Sequence, residues 1–195
     1  ADDVSVPTRL EKQLATVRAN PDIDILGSQA IDIDEHGQVR GVRRVPTDHE
    51  SIRRVLLFAN PMIHSSVLFR RDAILSAGSY DTALRKLQDY DLWFRCMARG
   101  CRFANVAEPL IYYRTGTNYY RRRSWGYRRL DFHIRLRGWR LLKGKGFELA
   151  GVIVPLVLCL TPPALQPVVY RLGTLFDPRR RVTSSRQSVS GMIRD

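Results

Sequence analysis

Apolar and polar residues recur at changing periods along this chain, and each change marks a predicted element. In TRLEKQLATVRAN, Leu10, Leu14 and Val17 fall on one helical face behind Ser5-Val6-Pro7, a cap candidate with proline in the first turn. Asn20-Pro21 ends that helix. Residues 23–27 and 30–33 alternate, and Asp34-Glu35-His36-Gly37 reads as a turn, so a strand, a hairpin and a return strand over residues 39–45 follow. Residues 48–58 (DHESIRRVLLF) predict a short helix with Ile52, Val55 and Leu56 inward, and residues 63–69 (IHSSVLF) a strand. Helices over 71–77 and 89–99 stop at Gly78 and Gly100, and strands over 102–106 and 110–113 flank Pro109. Interleaved helices and strands predict an α/β architecture. The first strand of such a domain is expected ahead of its first helix, and none is visible here. An upstream portion is therefore expected to be missing from the chain.

At 195 residues, 44% hydrophobic and without a fixed-period repeat, the chain suits one globular domain with an extension rather than a repeat array or a disordered segment. Cys96, Cys101 and Cys159 are odd in number and lack metal-ligand spacing, so free thiols, a reducing compartment and no zinc are expected.

The net charge of +13 changes the picture once it is located. Residues 1–114 hold 16 basic and 15 acidic side chains, whereas residues 115–195 hold 16 basic side chains against Asp131, Glu148, Asp177 and Asp195. A balanced front and a cationic tail predict different partners, the tail meeting something anionic. Residues 149–160 (LAGVIVPLVLCL) carry no charged or hydroxyl side chain. As a helix they cover about 18 Å of a roughly 30 Å apolar layer, too little to span it. Pro155, Pro162, Pro163 and Pro167 interrupt any longer helix, so re-entrant or interfacial helices are predicted. Residues 119–142 set Arg121, Arg122, Arg123, Arg128, Arg129, Arg135, Arg137 and Arg140 among Trp125, Tyr127, Phe132 and Trp139, a composition suited to aromatics at headgroup depth and arginines on phosphate. The bland alternative packs the apolar residues on the globular part and leaves the arginines solvated. An arginine-rich nucleic-acid binder is disfavoured, since the apolar run serves nothing there.

Two acidic pairs are the candidates for chemistry. Asp2 and Asp3 stand side by side, and Asp89 and Asp91 open a helix ahead of Leu92-Trp93-Phe94. Adjacent carboxylates can hold Mg²⁺ or Mn²⁺, which takes one or two of them and fills its other sites with phosphate and water. An Asp at a helix start can equally be a cap. The functional reading of the second pair is proton acceptance from an attacking hydroxyl, with Trp93 packing beneath the site or offering a stacking face.

Asp2-Asp3 followed by VSVPTRLEKQ, then DIDILGSQA, NPMIHSSVLFRR, GSYD, QDYDLWFRCMARG and EPLIYYR, resembles in order and spacing the later half of a family 2 inverting glycosyltransferase of the GT-A fold. The resemblance covers residues 1–114. It implies the C-terminal part of a GT-A catalytic domain there, lacking its nucleotide-binding half. The basic and apolar pattern of residues 115–178 predicts a mostly helical membrane-associated segment, and the serine-rich composition predicts a disordered tail over 179–195. Ala1-Asp2-Asp3 is similar to the end of the family's metal-binding Asp-Ala-Asp-Asp block, which implies a divalent metal, Mg²⁺ or Mn²⁺, held on the donor diphosphate by Asp2 and Asp3. Asp89 falls where the family has its general base, with Gln88 in place of the usual Glu. His64, Asp91, Trp93 and Arg114 match blocks that imply substrate binding: His64 near metal, diphosphate or acceptor, Asp91 and Trp93 shaping the acceptor side, and Arg114 neutralising a leaving diphosphate.

The implied function is transfer of one sugar from a nucleotide-diphosphate sugar to an acceptor hydroxyl, with inversion, in bacterial exopolysaccharide, capsule or lipopolysaccharide synthesis. The acceptor is expected to be lipid-linked or a saccharide, and the location the cytoplasmic face of the bacterial inner membrane, against an anionic surface and without nucleic acid. Ser124 between Arg123 and Trp125 departs from the Gln-x-x-Arg-Trp motif of processive synthases, so single addition is expected. Without its missing half the chain is expected to be inactive. The rival reading is a non-catalytic membrane-surface or nucleic-acid-binding fragment whose acidic pairs are helix caps.

Overall fold

A computed structural model describes residues 2–115 and 124–161, and shows a mixed α/β arrangement of one sheet with helices. The elements run β1 (Val4–Ser5), α1 (Arg9–Ala19), β2 (Ile25–Ile33), β3 (Val39–Arg43), α2 (His49–Leu56), β4 (Leu68–Phe69), α3 (Arg71–Ser76), α4 (Gln88–Ala98), β5 (Phe103–Arg114), α5 (Trp125–Leu141) and α6 (Leu149–Leu160). The sheet order is β1-β5-β2-β3, with β4 also on β2. β2 is parallel to β5 and antiparallel to β3 and β4, while β1 lies antiparallel on β5 with Val4 opposite Tyr112.

Two expected strand pairs are each one strand. β2 continues through Gly27-Ser28-Gln29, whose polar side chains are buried but bonded: Gln29 Nε2 donates to Val45 O at 2.8 Å and its Oε1 accepts from Val45 N at 2.6 Å. β5 runs through Pro109, where its register against β2 shifts, as a proline inside a strand requires. The strand expected over 63–69 is mostly a 3₁₀ turn, His64–Ser66, because Ser66 Oγ donates to Ile63 O at 2.7 Å and closes the backbone locally. Ser5 does not cap α1. It belongs to β1, a two-residue strand that does precede the first helix.

α1 also presents an unexpected face. Leu10 and Leu14 are exposed, and the residue turned inward is Gln13, whose Nε2 donates to Ser66 O at 2.8 Å and to Leu26 O at 3.3 Å. α2 follows its sequence pattern: Asp48 Oδ1 accepts from Ser51 N at 2.9 Å, and Ile52, Val55 and Leu56 are buried. The main core joins Ile25 and Phe103 of the sheet to Ile52 and Leu56 of α2, Leu92, Trp93 and Phe94 of α4, Ile134 of α5 and Val152 of α6.

The basic segment packs on this core more closely than its composition suggests. Leu130, Phe132, Leu136 and Trp139 of α5 lie against it. Arg128 and Arg135, two of the arginines expected on lipid phosphate, are instead buried. Arg135 forks onto Asp131 at 2.7 and 3.0 Å, donates to Phe58 O at 2.5 Å and Gly151 O at 3.1 Å, and lies 5.6 Å over the Tyr90 ring. It therefore ties α5, α6 and the end of α2 together, its charge offset by a carboxylate and several carbonyls. Among the described residues no helix is long and apolar enough to cross a membrane. The expectations for Ala1, for residues 116–123 and for everything after Thr161, including the tail over 179–195, fall outside the described residues.

Candidate active site

The site is built on the N-terminal turn of α4. Leu87 has φ 59°, a left-handed backbone rare for a bulky side chain, and it swings the chain into the helix just ahead of Gln88 and Asp89. Asp89 is half-buried in the first turn, where unpaired N–H groups favour a negative charge. Its Oδ2 accepts from Asn60 Nδ2 at 2.8 Å. Asn60 opens the segment that carries His64, and this segment is held from beneath by buried polar groups. Asn105 Nδ2 donates to Pro61 O at 3.2 Å, Ser66 Oγ accepts from Ser28 N at 3.0 Å, and Gln13 reaches Ser66 O.

His64 is exposed, with Nε2 3.0 Å from the Tyr80 hydroxyl. Tyr80 follows Gly78 and Ser79, which take φ 85° and 55° and turn the chain so that the ring comes back toward α4. Burial first, and then the charge of Asp89, push the Tyr80 phenol above its ordinary value. Trp93, one turn after Asp89, is fully buried and meets His64 edge-on, with ring centroids 6.3 Å apart. It forms a floor under the histidine and has no exposed face for a substrate to stack on.

Asp91 points elsewhere. Its carboxylate is buried, with Oδ2 bonded to Arg95 Nε at 2.8 Å and Oδ1 to Arg137 Nη1 at 3.2 Å. Arg95 also donates to Ser79 O at 2.7 Å and to Ala77 O, so Asp91 indirectly fixes the turn that presents Tyr80.

The other acidic pair forms a separate group at the sheet. Asp3 Oδ1 accepts from Arg114 N at 2.8 Å, and Arg114 Nε donates to Asp2 O at 3.1 Å. The Arg114 Nη1 donates to Asp34 O at 2.8 Å and Glu35 O at 3.0 Å, stapling the start of the chain to the β2–β3 turn. Asp2 is exposed and its carboxylate accepts no hydrogen bond among the described residues. Among those residues no cluster of three or more His, Cys, Asp or Glu could hold a metal ion. A donor set of one or two carboxylates still fits a hard divalent cation whose remaining ligands are phosphate and water. No hydrogen bond or ion pair among the described residues joins this group to the Asn60–His64–Tyr80–Asp89 cluster. A surface groove lined by Asp24, Arg70, Asp72, Arg99 and Cys101 contains none of the candidate residues.

Asn60 and Tyr80 escaped sequence reasoning. Asn60 read as half of a helix-breaking Asn-Pro pair, and Tyr80 sat unremarked within GSYD. Both gain their meaning from partners 29 and 16 residues away.

No protein-family model matches the chain. It is 35% identical over 169 residues to the amylovoran biosynthesis glycosyltransferase AmsE of Erwinia amylovora, covering 86% of this chain and 61% of the relative. It is 35% identical over 115 residues to a glycosyltransferase of Methanocaldococcus jannaschii, covering 58% of this chain and 39% of that one. It is 34% identical over 116 residues to the O-antigen biosynthesis glycosyltransferase WbnJ of Escherichia coli, covering 58% and 44%. The chain thus spans between about two-fifths and three-fifths of the length of these curated relatives. Relatives of this kind, at 29–35% identity, support a glycosyltransferase family for the chain.

Proposed function

We propose that this chain is the acceptor-side part of a family 2 inverting glycosyltransferase of the GT-A fold. In this reading it moves one sugar from a nucleotide-diphosphate sugar to a hydroxyl of a lipid-linked or saccharide acceptor in bacterial polysaccharide synthesis. The observation that carries the proposal is the Asp89 carboxylate at the head of α4, held by Asn60 beside the His64–Tyr80 pair. The names of the relatives supply the class of reaction, since they include glycosyltransferases of amylovoran and O-antigen biosynthesis.

In this reading Asp89 takes the proton from the acceptor hydroxyl as that oxygen attacks the anomeric carbon on the face opposite the nucleotide, which inverts configuration. His64 lines the approach, Trp93 supports it from below, and Asp91 holds the surrounding turns in shape. Asp2, with the second oxygen of Asp3, would hold a Mg²⁺ or Mn²⁺ ion that offsets charge developing on the departing diphosphate. Arg114 contributes by securing Asp2 and Asp3 on β5.

The test is sugar transfer by the full-length protein, offered a panel of nucleotide-diphosphate hexoses and polyprenyl-diphosphate-linked sugar acceptors. Asp89→Asn is expected to lower kcat by about 10²- to 10⁴-fold, the usual range for losing a general base. Normal transfer by Asp89→Asn, a retained anomeric configuration in the product, or a long polymer from one donor would each count against the proposal.

Attachment to an anionic membrane surface is part of the same reading. Ile153, Val154, Val157 and Leu160 of α6 are exposed, Leu160 at 80%, and Phe147 is 70% exposed beside the exposed Lys143 and Lys145. Apolar side chains next to cations suit the lipid interface at the cytoplasmic face of the inner membrane. Co-sedimentation of the full-length protein with phosphatidylglycerol vesicles, weakened by salt and absent with phosphatidylcholine alone, is the expected result. Equal sedimentation with both would remove the electrostatic part of the reading.

A further inference from the structure

Asn60 is oriented from both ends. Its Oδ1 accepts from Met62 N at 3.1 Å, so its Nδ2 is the atom that faces Asp89, 2.8 Å from Oδ2. The carbonyl of the next residue, Pro61, is fixed by Asn105 Nδ2 at 3.2 Å, so the amide rests on an anchored backbone. On the other side, the left-handed Leu87 sets the entry of α4. The carboxylate is therefore gripped at one oxygen by a donor that cannot rotate without breaking its bond to Met62. The other oxygen, Oδ1, accepts no hydrogen bond among the described residues.

We infer that Asn60 is a positioning residue for Asp89: it occupies Oδ2 and leaves Oδ1 as the oxygen that receives the acceptor proton. This rests on Asp89 acting as the base in the proposed transfer. A charge-assisted N–H···O⁻ bond holds geometry better than a neutral one. A displacement of about 1 Å at a reacting group can cost about 10²-fold in rate. Asn60 touches no reacting atom, so its effect falls on the rate of the chemical step, with binding of donor and acceptor left alone.

Asn60→Asp separates this role from a purely structural one. The substituted carboxylate still offers an oxygen to Met62 N, preserving the turn, but it replaces the N–H facing Asp89 with a like charge. The loss is therefore expected to come with a changed kcat–pH profile, which a purely structural role would not produce. In the full-length protein, with the sugar-nucleotide and polyprenyl-diphosphate panel above, kcat is expected to fall about 10- to 100-fold while both KM values stay within about twofold. Asn60→Ser, whose hydroxyl can donate to Asp89, is expected to recover part of that loss. Unchanged melting temperatures in both variants would separate misplacement from unfolding, and should Asn60→Asp fold poorly, the serine variant carries the comparison. Near-normal kcat in Asn60→Asp alongside an inactive Asp89→Asn overturns the inference and leaves the proposed base standing. A KM rise with unchanged kcat also overturns it. Full activity in Asp89→Asn removes the base and this role together.

Discussion

Gly138 of α5 lies against the Phe94 ring of α4 so closely that a Cβ on the glycine would sit 2.3 Å from Phe94 Cδ1 and 2.5 Å from Cε1. Phe94 is almost fully buried, so the ring cannot swing aside into solvent. Alanine is ordinarily the better helix former by about 1 kcal/mol. Here the overlap reverses the sign: Gly138→Ala is expected to destabilise by about 1–3 kcal/mol through overpacking. Gly126 near the start of the same helix is the control, since a Cβ there meets nothing within 4 Å. Gly126→Ala is expected to raise the urea midpoint by an amount worth up to about 1 kcal/mol, and Gly138→Ala to lower it. A Gly138→Ala midpoint at or above that of the unaltered protein would mean that α5 does not dock on α4 in this way.

Asp91 is a buried charge whose loss should be costly. Its side chain is only 3% exposed and that of Arg95 11%, so removing the carboxylate leaves a buried guanidinium without its counter-charge, held only by the carbonyls of Ala77 and Ser79. Asp91→Ala is expected to destabilise by about 3 kcal/mol, the size seen when one partner of a buried pair is removed. Arg137 is far more exposed, and Arg137→Ala is expected to cost no more than about 1 kcal/mol. Denaturant titration of the two variants side by side checks the order. Equal costs would show that Asp91 is solvated.

The cysteines predict an alkaline weakness. Burial pushes the Cys96 thiol up to about 12, and the neighbouring Cys101 adds to the effect; Cys101 itself is also raised, chiefly by burial. The folded chain thus holds the Cys96 proton more tightly than the unfolded chain does. That contribution is whole below the ordinary thiol value of 9.0 and is lost as pH climbs from there toward about 12. The urea midpoint is expected to fall over that range, and Cys96→Ala to flatten the slope. Iodoacetamide at pH 8, followed by peptide mass mapping, is expected to leave Cys96 unmodified until denaturant is added. Rapid native alkylation at Cys96 would contradict the burial.

What could be read beforehand was what local chemistry decides. α2 was legible because Asp48 caps it and three apolar residues share its inner face, and the hairpin because Asp34 Oδ1 accepts from both His36 N and Gln38 N ahead of Gly37 at φ 82°. Where distant segments supplied the partners, the pattern misled. Leu10 and Leu14 point outward while Gln13 turns in, because the carbonyls of Leu26 and Ser66 need its amide more than the core needs another leucine. Arginines such as Arg135 look like surface charge in a list of letters, yet Asp131 and three carbonyls draw that one inside. Asp89 and His64 were visible within their blocks. The amide and phenol that hold them were not, since no local pattern marks a residue whose only special property is its distant neighbour.

The nearness of Tyr80 to Asp89 can be checked without any substrate. Burial is the larger cause of the raised Tyr80 phenol and the Asp89 charge the next, so the two contributions separate by mutation. A carboxylate nearby opposes formation of a second negative charge. Asp89→Asn removes that opposition and lets Tyr80 ionise at lower pH than in the unaltered protein, though still above the ordinary value of 10.0 because the burial remains. Carbon-13 labelling of tyrosine Cζ, with Tyr80→Phe to assign the resonance, follows this titration directly. His64→Ala is expected to leave the Asp89 effect in place, since it removes only the 3.0 Å partner of the hydroxyl. A Tyr80 titration indifferent to Asp89→Asn would place the two groups apart, and the cluster on which sugar transfer has been argued would lose one of its walls.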